Sequence, residues 1–298
     1  MSEVTRFKKE NTEKQLSNSE IKEHLLEMLV EFAEFCDKNG LRYYLSGGTL
    51  LGAVRHKGFI PWDDDVDLMM PRKDYENLLY LWHDDRYCLS SCEKNRDYNT
   101  PFARIWDTTT KLRWTVINEK EIGVFMDIFP LDGFPTGDLQ TKIHLMRIKM
   151  LRSLVNAEVR QKFLKNEKFR LIKLLLRKLF RKSGNHYAQR LNVVAKKYKF
   201  ESCQYVGVKT TTVHLFREKN PKSIYSETVY LPFEHLFLPV PVGYNKYLTH
   251  LYGDYMQLPP ENERHSKHEF VIWNITSGGG KITCLFKYVI PLEEKRCA

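Results

Sequence analysis

No run of apolar residues approaches the eighteen or so needed to cross a bilayer as a helix, so the sequence holds no spanning segment. The first residues, MSEVTRFKKENTEK, are polar and lack the apolar stretch of a secretory signal, which predicts a protein that stays in the cytoplasm. Cysteine is sparse: six residues (Cys36, Cys88, Cys92, Cys203, Cys284, Cys297), of which only Cys88 and Cys92 are close, with no second C-x-x-C partner to complete a zinc site. Scattered reduced thiols are expected rather than a disulfide framework. No internal repeat or low-complexity tract breaks the 298 residues, which suffice for one large domain or two smaller ones. Acidic residues are nearly missing from one stretch. Residues 142–199 hold 18 Lys/Arg against 2 Asp/Glu, a net of +16, so the remainder of this +10 chain carries −6. The basicity belongs to one segment, not to the whole surface.

What is present centres on residues 43–70, YYLSGGTLLGAVRHKGFIPWDDDVDLMM. A short strand (Tyr43 to Leu45) leads into Ser46-Gly47-Gly48, and Thr49 opens a helix expected over Leu50 to His56. Gly58 and Pro61 break the chain before an acidic strand over 64–70. Alternation in that strand puts Asp63, Asp65 and Asp67 on one face and Val66, Leu68 and Met70 on the other. Two carboxylates ~4 Å apart repel by about 4 kcal/mol at an effective dielectric of 20, so such a face calls for a cation or a proton. All-oxygen ligands suit Mg²⁺ or Mn²⁺. A strand, a glycine turn and a helix N-terminus also form an anion cradle, because unpaired N–H groups and the helix dipole converge there. A phosphate cradle beside a carboxylate trio is the apparatus of metal-assisted phosphoryl transfer.

Elsewhere, Ser17 and Glu20 predict a capping box for a helix over 17–39 that ends at Asn39-Gly40. A second helix is expected through Trp82, and strands over 86–92, 101–106, 111–117 and 122–129. The last strand carries Asp127 alone among apolar residues, which makes it the choice for a third carboxylate ligand; Leu131 to Pro135 is read as the turn that follows. Residues 139–199 are helical and basic, 203–216 and 224–240 return to strands, and a short helix covers Tyr244–Leu251.

SGGTLLGAVRHKGFIPWDDDVDLMMPRKDY closely resembles the signature of the LicD family, which includes the fukutin-related transferases; GVFMDIFPLDGFP and YGDYMQLPP…R…H resemble its later motifs. The resemblance implies a nucleotidyltransferase-like α/β fold, a mixed sheet flanked by helices, with the basic helical segment added to it. It divides the chain into a catalytic core (1–135), a basic insertion (136–200) and a C-terminal part completing the site (201–298). The implied reaction moves phosphocholine from CDP-choline to a sugar hydroxyl of a teichoic-acid or other lipid-linked glycan precursor, releasing CMP and using a divalent metal. On this resemblance Asp65, Asp67 and Asp127 are the metal-holding, catalytic carboxylates. Gly47, Gly48 and Thr49 form the phosphate-facing turn, and Asp63 is either a ligand or a supporting acid. Arg55 and Lys57 are candidates to neutralise the diphosphate. Arg104 is expected either to reach the nucleotide or to pair with a carboxylate of the acidic strand, and Arg264 and His268 to cover the site on a loop. Trp62, Trp106, Tyr252 and Tyr255 are candidates to stack on a quaternary ammonium. A donor such as a CDP-alditol is the alternative within the same fold.

The basic segment has a different logic. Leu171, Leu174, Leu175 and Leu179 at helical spacing predict amphipathic helices, suited to an anionic membrane surface at the inner face, to docking on the catalytic domain, or to a solvated basic face over a buried apolar one. A nucleic-acid-binding protein is the outlying alternative; it leaves Asp63–Asp67 and Asp127 without a role, so no nucleic-acid partner is expected.

Overall fold

The structure, a computed structural model, describes residues 14–114, 122–159, 170–179, 185–211, 214–266 and 270–275. Helix α1 (Asn18–Asn39) has the anticipated capping box, with Ser17 and Glu20 bonding reciprocally, and ends on Gly40 in the left-handed region (φ 62°). Strand β1 (Tyr44–Leu45) follows, then α2 (Gly47–His56), β2 (Val66–Pro71) and α3 (Arg72–Leu81). Three strands come next, β3 (Tyr87–Ser90), β4 (Ala103–Asp107) and β5 (Thr110–Trp114). Strand β6 (Phe125–Phe134) runs straight through Leu131 to Phe134, where the sequence suggested a turn. The reason is pairing: Leu131–Phe134 finds a partner in a strand from much later in the chain, which local turn propensity cannot register.

Three helices make up the described basic segment: α4 (Asp138–Val159), α5 (Arg170–Leu179) and α6 (His186–Ala195). The chain then returns to the sheet with β7 (Tyr205–Val208) and β8 (Asn220–Pro221), forms the hairpin β9 (Thr228–Phe233) and β10 (Leu236–Pro241), and closes with α7 (Tyr244–Tyr252) and β11 (Phe270–Asn274).

The main sheet has seven strands along the path β1-β2-β6-β4-β3, with β7 on β6 and β8 on β7. Only β2 and β6 run parallel; the other pairings are antiparallel, so the sheet is mixed as expected. Strand β6 is the spine. Its first half pairs β4, its second half pairs β7, and β2 lies along its other edge. That explains the dense apolar reading of Val66, Leu68, Met69 and Met70, all buried at the centre. One core surrounds this sheet and is closed by α1, α2 and α3; a second, smaller one joins Phe134 to Leu145, Ile148 and Leu151 of α4 and to Tyr187 and Leu191 of α6. Among the described cysteines Cys36, Cys92 and Cys203 are free thiols, and Cys284 and Cys297 lie outside the described residues. No described helix is long and apolar enough to cross a membrane.

Candidate active site

Parallel register sets the centre of the site. Asp67 of β2 lies directly opposite Asp127 of β6, and Arg104 of β4 lies opposite Asp127 on the other side. Three adjacent strands thus present Asp67, Asp127 and Arg104 in a row. Arg104 Nε donates to Asp127 Oδ1 at 2.6 Å and its second nitrogen to Oδ2 at 3.3 Å, a pairing with the carboxylate of β6, where the sequence pointed to one of the acidic strand. Its guanidinium lies over the rings of Phe125 (4.3 Å) and Trp114 (5.5 Å), which hold it flat in a buried position.

Helix α2 begins three residues earlier than its sequence suggests, at Gly47, so the glycine pair forms its first turn. The two glycines are required by what faces them. Gly47 has φ +49°, and a Cβ there would lie 3.1 Å from Asp67 Oδ2 and 3.7 Å from the Tyr252 hydroxyl; a Cβ on Gly48 would lie 2.9 Å from Asp63 Oδ2. The bare backbone at the positive end of α2 and the aspartates therefore border one space. Thr49 is buried, and its hydroxyl accepts the Asp67 N–H at 2.9 Å, while Ser46 N–H donates to the Asp67 carbonyl. These bonds lock the glycine turn to the acidic strand.

The acidic cluster differs from a simple alternating strand. Strand β2 starts only at Val66, and the Asp63 N–H bonds back to Ile60 O in the turn made by Pro61 and Trp62. Asp63, Asp64 and Asp65 thus sit on a loop, and each offers a carboxylate oxygen within 4.8 Å of the other two. Among the described residues it is the one group of three or more such side chains that meets this spacing. It includes Asp64, which alternation would have turned away. Asp67 stands beside it at the strand start. Burial above all, then the charges of Asp65, Asp127 and Asp63, push the Asp67 carboxyl well above the usual range, and Arg104 only partly opposes this. An all-oxygen donor set of clustered carboxylates fits a hard divalent cation.

Other residues fall into place around this centre. Arg55 donates to the carbonyls of Tyr255 (2.9 Å) and Gln257 (3.3 Å), so it organises the loop after α7. Burial and the facing Arg264 lower its pKa, which marks a pair of cations held close to each other. Arg264 stacks over Trp62 at 6.0 Å, and Ser266 donates to Asp64 Oδ2 at 2.6 Å, so this loop lies against the acidic one. Lys57 is not brought to the glycine turn. It caps the far end of α2 in the left-handed region, ten residues or ~15 Å along the helix, and is exposed. His268 lies outside the described residues. Trp106 is core, donating to Ser90 Oγ, and the Tyr255 hydroxyl bonds Asn245, whereas Trp62 and Tyr252 border the site. Sequence reasoning left Tyr252 among four aromatics and missed Lys22, whose ammonium holds the Ile60 and Pro61 carbonyls at the root of the acidic loop. Neither has a local signal, because both contacts join segments far apart in the chain.

The family described as LicD/FKTN/FKRP, nucleotidyltransferase domain, matches residues 40–147, which contain the whole Asp67–Asp127–Arg104 row. The lipopolysaccharide cholinephosphotransferase LicD of Haemophilus influenzae is 32% identical over 250 residues, 82% of this chain and 92% of that protein. The ribitol 5-phosphate transferase FKRP of Homo sapiens is 58% identical, but over 38 residues only, 13% of this chain and 8% of its own length. With identity at that level sustained over most of both chains, this protein belongs to the LicD family.

Proposed function

We propose that this protein transfers phosphocholine from CDP-choline to a sugar hydroxyl of a lipid-linked glycan or teichoic-acid precursor. The acceptor oxygen bonds to the choline-bearing phosphorus, the bond from that phosphorus to the CMP oxygen breaks, and CMP leaves with the electron pair. A carboxylate of the acidic set takes the hydroxyl proton. The observation that carries the reading is the meeting of Asp67 and Asp127 beside the bare Gly47-Gly48 turn, in a chain related along most of its length to a cholinephosphotransferase. Asp65, Asp67 and Asp127, with Asp63 beside them, would hold Mg²⁺ or Mn²⁺, whose chemistry is charge neutralisation on the donor diphosphate. Arg104 positions Asp127, and the α2 N-terminus receives phosphate oxygens. Arg55 and Arg264 add positive charge and fix the covering loop, and Trp62 and Tyr252 are the aromatics available to the trimethylammonium group. In this reading residues 1–135 and 201–298 build the catalytic unit, 136–200 are an insertion, and the enzyme works in the cytoplasm at the inner membrane face.

A second reading, transfer of a polyol phosphate from a CDP-alditol, draws on the short FKRP similarity. Thermal denaturation in Mg²⁺ with CDP-choline or CDP-ribitol separates the two. Stabilisation by CDP-choline alone, with CMP released when a choline-accepting glycan is added, supports the first; stabilisation by CDP-ribitol alone transfers the case to the second.

A further inference from the structure

Helix α4 is apolar on two opposite sides. Leu145, Ile148, Leu151 and Val155 enter the smaller core. On the far side Leu139, Ile143, Met146 and Met150 recur at helical spacing and remain in solvent, 53–72% exposed. A stripe of that kind is not needed for folding, since the helix already has its buried face. Exposed bases border it, Lys142 and Lys149 along one side and Arg147 along the other.

Helix α5 packs against α4 and repeats the pattern. Leu171 (80%), Ile172, Leu175 and Leu179 (67%) are exposed, with Lys178 among them. The sequence readings of a buried apolar face or of docking on the catalytic domain therefore do not describe α5. With Leu174 the two helices show nine exposed aliphatic or methionine side chains among the described residues. They lie within residues 139–199, which carry a net charge of +16 on a chain whose remainder is net negative.

From this placement we propose that the outer faces of α4 and α5 form a docking surface for an anionic lipid bilayer, with the apolar stripes entering the headgroup–acyl boundary and the flanking lysines and arginines meeting lipid phosphates. Charge complementarity selects the occupant. An acidic surface attracts residues 142–199 and repels the rest of the molecule, which fixes orientation as well as affinity. A second copy of the chain would instead set one +16 segment against another. Long basic side chains also reach past a buried apolar stripe to the headgroups, the arrangement of an interfacial helix. The inference rests on exposure and charge and is independent of which CDP-linked donor the active site takes.

Flotation of the full-length protein tests it, using vesicles of phosphatidylglycerol and phosphatidylcholine in equal amounts against phosphatidylcholine alone. The protein is expected to float with the mixed vesicles at low salt, not with phosphatidylcholine, and to be released as salt rises. Leu171→Glu/Leu175→Glu and, separately, Met146→Glu/Met150→Glu alter only exposed positions, and each pair should weaken vesicle binding by about tenfold or more. Lys142→Glu/Lys149→Glu should weaken binding to the mixed vesicles and flatten the salt dependence. Circular dichroism and sizing of each variant confirm that it folds. No flotation of the wild type at low salt, equal flotation on both vesicle types, or binding untouched by both apolar pairs would overturn the proposal. So would a wild-type dimer that the same apolar changes dissociate without any vesicle binding, because the faces would then serve a second copy.

Discussion

Strand β6 carries two aspartates five residues apart, and alternation sends them to opposite faces of the sheet. Each is paired with an arginine, yet they do different work. Asp132 is fully buried and takes two bonds from Arg72, at 2.8 and 2.6 Å, with Asn192 beside the guanidinium. The nearby Lys209 ammonium is buried as well, held by the Gly133 carbonyl and His144. Burial lowers its pKa to about 8, with Asp132 resisting the change. Negative charge there is matched by positive charge. Asp127 pairs with Arg104 and faces Asp67, behind which stand Asp65 and Asp63. One face is balanced and structural. The other gathers several carboxylates around a buried Asp67 and raises its pKa, the setting in which the proposed ion and donor would sit.

If the comparison is right, substitutions on the two faces should separate activity from stability. The largest effect is expected at Asp67→Asn and Asp65→Asn. Phosphocholine transfer should fall at least ~100-fold while the denaturation midpoint stays level or rises, since repulsion is relieved; more than a tenth of wild-type activity in either variant breaks the assignment. Arg72→Ala should do the reverse. Stranding Asp132 in the core is expected to cost about 3–5 kcal/mol in chemical denaturation. A loss below ~1 kcal/mol would mean the balanced face is not what holds the sheet to α3 and α6. Third, Mg²⁺ or Mn²⁺ should raise the melting temperature of the wild type, by a few degrees at saturating ion, and leave Asp67→Asn unmoved. Equal shifts in both proteins would place the ion elsewhere.

The smallest effect concerns a carboxyl that neither face uses. Glu218 is buried and accepts from Val208 N–H at 3.3 Å, and burial raises its pKa to about 8. The folded state therefore keeps a proton that the unfolded chain loses near pH 4.5, so this group's stabilisation is complete in acid and drains away as pH rises towards 8. Denaturation at pH 6 and pH 8 should show a decline in the wild type that Glu218→Gln flattens; parallel slopes would show that the carboxyl is ionised in the fold.

Much of this was legible from residue order. The capping box of α1, the lone Asp127 in an apolar strand and the glycine turn ahead of the aspartates are local patterns with local causes, and they fall where the spacing puts them. What escaped depends on distant partners. Period-two logic ran backwards past Val66 because nothing in DDD reveals that Pro61 and Trp62 turn the chain first. Leu131–Phe134 reads as a turn until β7 pairs with it. Lys57 looks close to Gly48 in sequence, but helical rise carries it away. The burial of α5 could not be judged at all from its own amphipathic pattern, which fits a core and a lipid surface equally well.

Because β6 is bonded along both edges and buried over its whole length, its amides should be among the last to exchange with heavy water. Asp127 is thus mounted on the slowest-opening part of the molecule, while Arg264 and Ser266 ride on a surface segment outside the sheet. Mild urea should therefore loosen the grip on a nucleotide well before it disturbs the carboxylates beneath.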